Sequence, residues 1–514
     1  MNKTKKALLF ISDFTDCGGE KLFLWSFDGH LIEASAEALV TEDCELVCHD
    51  YWLVAPAIYK KTQNLPKCVT DVEELRTCTS GKREDRENRD KVDFSAALVQ
   101  FSDEETISRY RNIIYKKKPL DAAVFCLIGR ALLQLAETLE TKAREADEWS
   151  RYVNVERPVA DYLIRSAANG ISIDETALRK HKAKIDFSFY MALKEFSAKY
   201  SLPLEVPSDD EVIKYLEPRF DFSGVGLEYV LNFVPMSDGF SDNLLQLRKL
   251  ANFRKVLNAI PLSQNRIYPI VDSFGSITSR VYFKDPSLQN LSKYHRDILK
   301  ADEGMMLSYV DYDQYEAGIM GALSKDEKIL EFFSSGDLYT KAAEEIFSDQ
   351  GKRKQAKRLF LSYAYGMRRK SLIDAAAEFG ADRTAAKKFF NHFSTFEKWK
   401  EGVWDEFRAN SRVGTTLGNF LNRDRTGELN EKEKRSAVSQ VVQGTASLIF
   451  KKALVRLSTV EGVSLKVPMH DAVLFQHSLE FAPSLVIDLF SNVMSEHFEN
   501  SIQGKASLSQ FVPE

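Results

Sequence analysis

The chain contains 514 residues, of which 44% are hydrophobic and 28% are charged, and its formal net charge is −5. These values are ordinary for a globular protein of about two to four domains, and they exclude a surface coated in positive potential, although a local cleft can still be basic. The apolar run at residues 7–11 is too short for a secretory signal and has no cleavage site. We therefore expect a cytoplasmic protein that has no membrane partner.

Residues 7–149 alternate short apolar strands with helical stretches, which predicts an α/β domain. Cys44, Cys48 and His49 are candidate zinc ligands, but no paired C-x2-C motif accompanies them, so reduced structural thiols are the favoured interpretation. The charged run at residues 81–91 predicts an exposed loop.

A helical pattern begins near residue 155 and stops at Asn169-Gly170, where Asp174 is placed to cap the next helix. Residues 244–256 form a second predicted helix that carries four basic side chains. This basic face either follows the phosphates of a nucleic-acid duplex or is simply solvated. Residues 267–290 are extended and rich in turns.

The segment SYVDYDQYEAG at residues 308–318 delivers a carboxylate from an apolar run into a predicted helix. Leu307, Tyr309 and Val310 are typical of a short buried strand, so Asp311 is expected at the strand's carboxyl end, facing a cleft. Taken alone, the same pattern is equally typical of a solvated turn aspartate.

A second carboxylate lies in VPMHDAVLF at residues 467–475, where His470 and Asp471 separate two apolar runs in the manner of a tight β-hairpin. Two such carboxylates can share a pair of Mg²⁺ ions, because hard cations prefer carboxylate oxygens. A metal pair of this kind holds the attacking and leaving oxygens of an in-line phosphoryl transfer.

Between these segments, Arg353, Lys357, Leu361 and Tyr365 recur every four residues along one predicted helix face. Arg353 and Lys357 are placed to hold a triphosphate, and the ring of Tyr365 is placed to stack on a base or sugar. The alternative is a solvated basic helix edge.

Together these segments resemble the family A DNA polymerases, which include bacterial DNA polymerase I and many phage replicases. DYDQYE at residues 311–316 is similar to the family's first palm motif, R-x3-K-x7-YG at 353–366 to its fingers helix, and HDA at 470–472 to its second palm motif. The connecting pieces agree with this resemblance, which extends from about residue 155 to the C-terminus: TSR at 278–280, PSLQN at 286–290, DLY at 337–339 and QGTA at 443–446.

The resemblance implies an α+β fold, a right-hand polymerase with palm, fingers and thumb behind an N-terminal α/β domain that resembles a degenerate 3′–5′ exonuclease. The implied domains are an inactive exonuclease-like domain at 1–149, a thumb at 150–265, a first palm segment at 266–330, fingers at 331–425 and a second palm segment at 426–514.

The family's exonuclease domain holds two metals with a DxE pair, a further Asp and a YxxxD motif. Here the corresponding first strand reads Asp13-Phe14-Thr15 and the last helix reads Cys126 to Arg130, so the carboxylates are missing. A guanidinium at a metal position opposes cation binding, so we predict no proofreading. The alternative is an unrelated α/β accessory domain, in which Asp50 is a turn residue and not a relic of the middle motif.

The family's functional residues carry over onto matching positions of this sequence. Asp311, Asp471 and the backbone carbonyl of Tyr312 become ligands of two Mg²⁺ ions, with Mn²⁺ as a substitute, and Lys357 becomes a catalytic phosphate ligand and candidate general acid. Glu316 becomes the steric gate that excludes a 2′-OH. The implied dNTP-binding residues are Arg353, Lys357, Tyr365, Gln314, Glu316, Tyr339 and Leu361, and the implied DNA-binding residues are Arg280, Gln289, Asn290, Arg435, Gln443 and His470.

Three positions depart from the family pattern. Ala472 stands where Glu is usual, Leu361 replaces an aromatic residue that contacts the sugar, and Tyr339 replaces a histidine that contacts the triphosphate. A tyrosine can still donate a hydrogen bond but carries no positive charge. These departures leave rate and fidelity open.

The sequence therefore predicts template-directed addition of dNTPs to a primer 3′-OH, with pyrophosphate release and without proofreading. Two alternatives stay open, a non-enzymatic subunit that binds primer–template DNA and a single-subunit RNA polymerase. The expected partners are primer–template DNA and dNTPs, with a processivity factor, a helicase-primase or a single-strand-binding protein as candidates by analogy. The short chain suggests a phage or prophage replicase acting in a bacterial host cytoplasm.

Overall fold

The computed structural model describes residues 4–11, 20–89, 94–116, 118–222, 226–234 and 236–513. Its N-terminal part is a five-stranded sheet of order β3-β2-β1-β4-β5, in which β1 pairs antiparallel with β2 and parallel with β4. Helices cover both faces of this sheet, as a mixed sheet with two apolar faces requires. The strands are β1 (Lys5–Ile11), β2 (Lys21–Trp25), β3 (Leu31–Ala34), β4 (Glu45–Cys48) and β5 (Val69–Asp71), and the helices are α1 (Ala36–Thr41), α2 (Tyr51–Thr62), α3 (Val72–Thr79), α4 (Arg83–Glu87), α5 (Phe94–Leu98), α6 (Glu104–Lys116) and α7 (Ala122–Glu145).

Within the described part of the chain, α7 is the one helix whose length and hydropathy would allow it to cross a membrane, and 56% of its most apolar window is buried. Its apolar face packs into the core of the N-terminal sheet, against β1 and α3 among other elements. Burial of this kind is what an apolar core helix shows.

The predicted α/β character of this part is confirmed, but the prediction for the charged run is wrong. The charged run is not simply an exposed loop, because it contains α4 and its Arg86 is buried. Arg130 is exposed on α7, and the preceding Gly129 packs against the indole of Trp25. Asp13 lies outside the described residues, and Asp50 adopts a left-handed turn conformation at the start of α2.

The candidate zinc ligands of this part also have ordinary structural roles. The ring of His49 stacks on Phe94 at 4.4 Å and lies 3.0 Å from the hydroxyl of Tyr110. Cys44 and Cys48 are buried free thiols. Among the described residues, no cluster of three or more His, Cys, Asp or Glu side chains is arranged to hold a metal ion.

The predicted thumb contains a long helical pair, α10 packed against α13, with its own apolar cluster. As predicted, the preceding helix stops at Gly170 (φ +66°), and the side chain of Asp174 caps α10 by accepting a hydrogen bond from the amide of Ala177. Arg248 and Arg254 on α13 form ion pairs within the thumb, with Asp209 and Asp186 respectively. The elements here are α8 (Trp149–Arg151), a π-helical turn (Tyr152–Glu156), α9 (Arg157–Asn169), β6 (Ile171–Ile173), α10 (Glu175–Tyr200), α11 (Asp209–Leu216), α12 (Leu227–Phe233) and α13 (Phe240–Ala259).

The predicted palm is built on an antiparallel sheet of order β14-β15-β11-β16, with α14, α21 and α22 contributing to its core. Two smaller sheets accompany it, the two-stranded β8–β9 and the three-stranded β10–β6–β7. The elements are β7 (Arg266–Ile267), β8 (Ile270–Asp272), β9 (Tyr282–Asp285), β10 (Leu299–Lys300), β11 (Met305–Tyr312), α14 (Tyr315–Ser324), α21 (Glu431–Leu457), β14 (Val463–Pro468), β15 (Ala472–Ser478), α22 (Ser484–His497) and β16 (Ala506–Leu508).

The predicted fingers are helical and end in a β-hairpin that returns to the palm. Phe396 is fully buried and stacks on Trp399, so both rings belong to the core and not to a base-stacking surface. The elements are α15 (Glu327–Ser334), α16 (Leu338–Phe347), α17 (Arg353–Ala364), α18 (Arg369–Glu378), α19 (Arg383–Asn391), α20 (Ser394–Asn410), β12 (Arg412–Thr415) and β13 (Gly418–Asn422).

Candidate active site

The two predicted carboxylates meet at one edge of the palm sheet. Strand β11 pairs antiparallel with β15 so that Asp311 lies opposite Ala472, and the amide of Tyr312 donates a 3.0 Å hydrogen bond to the carbonyl of Asp471. Asp471 sits at the tip of the hairpin formed by β14 and β15, as the sequence predicted. This pairing brings residues 160 positions apart in the sequence into adjacent places on the sheet.

The electrostatics of this edge favour a bound cation. Desolvation, together with the charges of Asp471 and Asp313, raises the pKa of Asp311 to about 8. The Oδ1 atom of Asp311 is buried and has no hydrogen-bond partner in the described structure. Asp471 is exposed at the hairpin tip, yet the surrounding protein desolvates its carboxylate enough to raise its pKa. Two adjacent carboxylates of this kind are stabilised when a positive ion lies between them.

These groups fit a hard divalent cation, because they supply carboxylate oxygens that the protein leaves uncompensated. The side chain of Tyr312 is turned away and buried, where its ring stacks on Tyr315 at 4.2 Å. Only the backbone of Tyr312 is therefore available to the site, and its role as a metal ligand stays a prediction from the resemblance.

A cationic helix face lies over the two carboxylates. Lys357 on α17 is exposed and forms no ion pair among the described residues, while its charge lowers the pKa of both Asp311 and Asp471. Arg353, one turn earlier, is instead paired with Asp337, with an Nη2 to Oδ2 distance of 2.5 Å. Lys357 is thus free to meet an anionic ligand, whereas Arg353 must first exchange its partner.

The predicted steric gate is held from two sides. One carboxylate oxygen of Glu316 accepts a 2.8 Å hydrogen bond from Nη2 of Arg280, and the other accepts a 2.7 Å hydrogen bond from the hydroxyl of Tyr365. Gln443 also lies within hydrogen-bonding reach of that hydroxyl. The structure therefore joins two predicted nucleotide contacts and two predicted DNA contacts in one network.

The remaining predicted DNA contacts differ in their availability. The ring of His470 packs edge-on against Tyr282 at 5.0 Å, and burial with the nearby Arg280 charge lowers its pKa to about 4. Arg435 is exposed on α21, beside Gly366 at the end of the fingers helix. Both side chains border the cleft, and their DNA contacts stay predictions.

Three predicted contacts are engaged with the protein itself. The amide of Gln289 accepts from the backbone N–H of Phe283 and donates to its carbonyl, so this side chain fixes the loop after β9. The amide of Asn290 donates to Ser287. Gln314 holds the start of α16, because its side chain donates to the carbonyl of Gly336 and accepts from the amide of Leu338, the first residue of that helix. Direct ligand contacts from these residues stay predictions.

The three departures from the family pattern have structural counterparts. Ala472 is fully buried, and Leu361 is half-buried against the main core. Tyr339 is also buried, and its ring centroid lies 5.3 Å from Nζ of Lys357 and 5.5 Å from the guanidinium of Arg353. Tyr339 therefore provides an aromatic face beneath the two cations, where a histidine would add charge.

Two residues that influence the pKa of Asp311 were not identified from the sequence. Asp313 raises the pKa of Asp311 and accepts a hydrogen bond from Ser507 on the C-terminal strand β16, about which the sequence indicated little. Arg296 lowers the pKa of Asp311, and its guanidinium packs on the ring of Tyr309. Asp313 lies within the DYDQYE segment, but its partner Ser507 is 194 positions away, and no local pattern marks Arg296.

A cavity of about 830 Å³ elsewhere in the protein does not contain this site. It lies between the N-terminal sheet and the β8–β9 pair, and its lining includes Glu73, Glu74 and Lys284. Neither Asp311 nor Asp471 lines it. The open edge of the palm sheet is the better candidate, because the uncompensated carboxylates converge there with an unpaired cation.

Comparisons with known proteins agree with this assignment. Residues 229–509 match the model of DNA polymerase family A. The chain is 26% identical over 372 residues to the thermostable DNA polymerase I of Thermus thermophilus, covering 66% of this chain and 44% of that protein. It is 22% identical over 426 residues to DNA polymerase I of Helicobacter pylori, covering 77% of this chain and 48% of that protein. The chain thus spans about half the length of these relatives.

A solved structure extends the comparison to the whole fold. The POL domain of Pol1 from M. smegmatis, in complex with DNA primer-template and dNTP, superposes with a TM-score of 0.75 at 20% identity, covering 99% of this chain and 95% of that one. The fold class predicted from the sequence, an α+β polymerase fold, is therefore confirmed. The family match covers more than half of the chain and includes the edge that carries Asp311 and Asp471, so this chain belongs to DNA polymerase family A.

Proposed function

We propose that this protein catalyses template-directed DNA synthesis, adding dNTPs to a primer 3′-OH and releasing pyrophosphate. The proposal rests on two features of the site. Asp311 and Asp471 are adjacent where their strands pair, and the unpaired cation of Lys357 is close enough to lower the pKa of both carboxylates. Phosphoryl transfer requires carboxylates that bind the metal ions and a cationic side chain that binds the triphosphate.

Asp311, Asp471 and the backbone carbonyl of Tyr312 would hold two divalent ions, Mg²⁺ or in its place Mn²⁺. Bound there, the ions would acidify the primer hydroxyl and neutralise charge on the transferring phosphoryl group. Lys357 binds the triphosphate through Nζ and is placed to give its proton to the departing pyrophosphate. Arg353 supplies a second phosphate contact once it leaves Asp337, and His470 contacts the primer backbone.

Nucleotide selection rests on the network around Glu316. Because Arg280 and Tyr365 fix both carboxylate oxygens of Glu316, its side chain forms a rigid floor that excludes a ribose 2′-OH. Rigid exclusion of this kind favours deoxynucleotides and speaks against the RNA polymerase alternative. Closure of α17 over a correct base pair then completes the site.

We also propose that the protein lacks proofreading activity. In support, the segment from Cys126 to Arg130, which corresponds by resemblance to the family's last exonuclease motif, carries no carboxylate and ends in a cation. An accessory processivity factor, helicase-primase or single-strand-binding protein, a phage origin and a cytoplasmic location remain expectations from the sequence.

The test is extension of a labelled primer–template in Mg²⁺ with separate dNTP and rNTP pools. The wild type should extend with dNTPs only, and Asp471→Asn should lose about 10³-fold or more in rate, since a metal ligand supplies several kcal/mol of charge stabilisation. Asp488→Asn, an exposed carboxylate on α22, is the matched control. A mismatched primer end should remain unexcised. Tight DNA binding without extension would replace the proposal with a DNA-binding subunit.

A further inference from the structure

The side chain of Arg86 reaches from the N-terminal domain to residues of the polymerase part of the chain. It lies on α4, in the charged run at residues 81–91, yet it is only 4% exposed. Its Nη1 atom donates to the carbonyl of Ile277, to the hydroxyl of Ser279 at 2.9 Å and to Oδ1 of Asn419 at 2.9 Å, while its Nε donates to the carbonyl of Ser80 at 2.9 Å. One guanidinium thus links the N-terminal domain, the turn before β9 and the hairpin that follows the fingers.

The turn that Arg86 contacts is conformationally demanding. Ser279 has a φ of +59° and is 1% exposed, so a non-glycine residue is held in the left-handed region inside the protein. The turn closes on itself through a 2.9 Å hydrogen bond from the amide of Gly275 to the carbonyl of Arg280. A non-glycine residue in this conformation is strained and persists only where its surroundings fix it.

Two further elements hold the same turn. The hydroxyl of Ser279 donates to Oδ1 of Asn419, whose amide donates to the carbonyl of Thr278. From α21, the hydroxyl of Ser447 donates to the carbonyl of Ser279, and the amide of Gln440 donates to the carbonyl of Asn419. The turn is therefore fixed between the palm helix, the hairpin and Arg86.

Arg280 comes directly after Ser279 and links the turn to the active site. Its side chain is the one that binds Glu316, and its charge lowers the pKa of Asp471. A small rotation of the turn would move this guanidinium relative to both groups. The hydrogen-bond acceptors of Arg86 are all neutral, although the charges of Glu148 and Glu156 also favour its charged form.

Burying a cation against neutral acceptors is expensive compared with apolar packing. Burial lowers the pKa of Arg86 to about 10, so the side chain is still charged at neutral pH. We therefore expect Arg86 to act through the direction of its charge-assisted hydrogen bonds, which orient the turn.

We propose that Arg86 is a positioning residue for Arg280, through which the N-terminal domain controls how strictly the polymerase site senses the primer–template and the incoming sugar. This inference rests on the proposed function for its catalytic consequence. The structural part of the inference does not depend on that function, because Arg86 fixes the turn at residues 275–280 whether or not the site performs synthesis.

The test compares three variants. Arg86→Met keeps length and loses the hydrogen bonds, Arg86→Lys keeps the charge and part of the donor capacity, and Arg83→Met removes an exposed cation from the same helix as a control. Two properties are measured: the ratio of kcat/KM for matched over mismatched primer ends, and amide hydrogen exchange of the turn without DNA.

We expect Arg86→Met to lose about tenfold in the matched-to-mismatched ratio, as the loss of buried charge-assisted hydrogen bonds implies. Exchange in the turn should accelerate in parallel. Arg86→Lys should recover part of both effects, and Arg83→Met should resemble wild type. If Arg86→Met does not fold, Ser279→Ala removes one of the same contacts from the other side and should reproduce the loss.

Unchanged discrimination and unchanged exchange in a folded Arg86→Met protein would overturn the inference. An equal fall in matched and mismatched extension would also overturn it, since that result indicates general destabilisation. If the wild type does not extend primers, the proposed function fails, whereas the exchange experiment still decides whether Arg86 fixes the turn.

Discussion

The hydroxyl of Tyr365 donates a 2.7 Å hydrogen bond to Oε2 of Glu316, which joins the end of the fingers helix to the start of the first palm helix. This hydrogen bond fixes the side chain that is proposed to exclude a 2′-OH. It also couples the position of α17 to the geometry of the nucleotide site. Selectivity for the sugar should therefore depend on a residue that stands 49 positions away from the gate.

Tyr365→Phe tests this coupling. Removing the hydroxyl leaves Glu316 with Arg280 alone, so we expect the preference for dNTP over rNTP in kcat/KM to fall by about tenfold, in line with the loss of one hydrogen bond to a charged group. Tyr294→Phe, which removes an exposed hydroxyl, should have no effect. A Tyr365→Phe enzyme with wild-type selectivity would show that Arg280 is sufficient to hold the gate.

Asp311→Asn should stabilise the metal-free protein while it removes activity. The pKa of Asp311 rises from 3.8 to about 8 on folding, so ionisation opposes folding. The cost is absent below about pH 4, grows as the pH rises and is complete above about pH 8. We expect the variant to unfold roughly 2–4 °C above wild type near pH 8, and with a smaller difference near pH 5.

Mg²⁺ gives the corresponding measurement on the wild type. Because protons and cations compete for the same carboxylates, Mg²⁺ should raise the unfolding temperature more near pH 8 than near pH 5, and Asp311→Asn should lose this response. A variant that is less stable than wild type at both pH values would show that the Asp311 carboxylate is compensated within the folded protein.

Asp337→Asn should free Arg353 for the triphosphate. Asparagine can replace aspartate as the cap of α16, so the helix start is preserved while the ion pair is lost. An exposed ion pair contributes about 0.2–1 kcal/mol, so KM for dNTP should fall by roughly two- to fivefold. Asp349→Asn, which replaces another capping aspartate, is the control. A higher KM would mean that Asp337 orients Arg353 for binding.

The features predicted correctly from the sequence are those with a local signal. The hairpin around Asp471, the cap at Asp174 and the helix that carries Lys357 each depend on residues a few positions apart, where hydrophobic period and turn chemistry operate. The same local patterns place Asp311 at the end of its strand.

Features that depend on distant partners could not be predicted. Arg86 lies 191 positions from Ile277, and within a charged run its residue type favours solvent exposure. The pairing of Arg280 with Glu316 and the addition of β16 to the palm sheet are likewise tertiary contacts. Arg353 was correctly placed on its helix face, but its ion pair with Asp337 has no sequence signature.

If Asp311 and Asp471 catalyse nucleotide addition directed by a template, single-nucleotide incorporation will show it. Four primer–templates that differ only in the templating base are each offered one dNTP at a time in Mg²⁺. We expect incorporation of the complementary dNTP on every template, with one pyrophosphate released per addition and no incorporation by Asp311→Asn or Asp471→Asn. Incorporation that ignores the templating base, or that survives in either variant, would rule out this role for the two carboxylates.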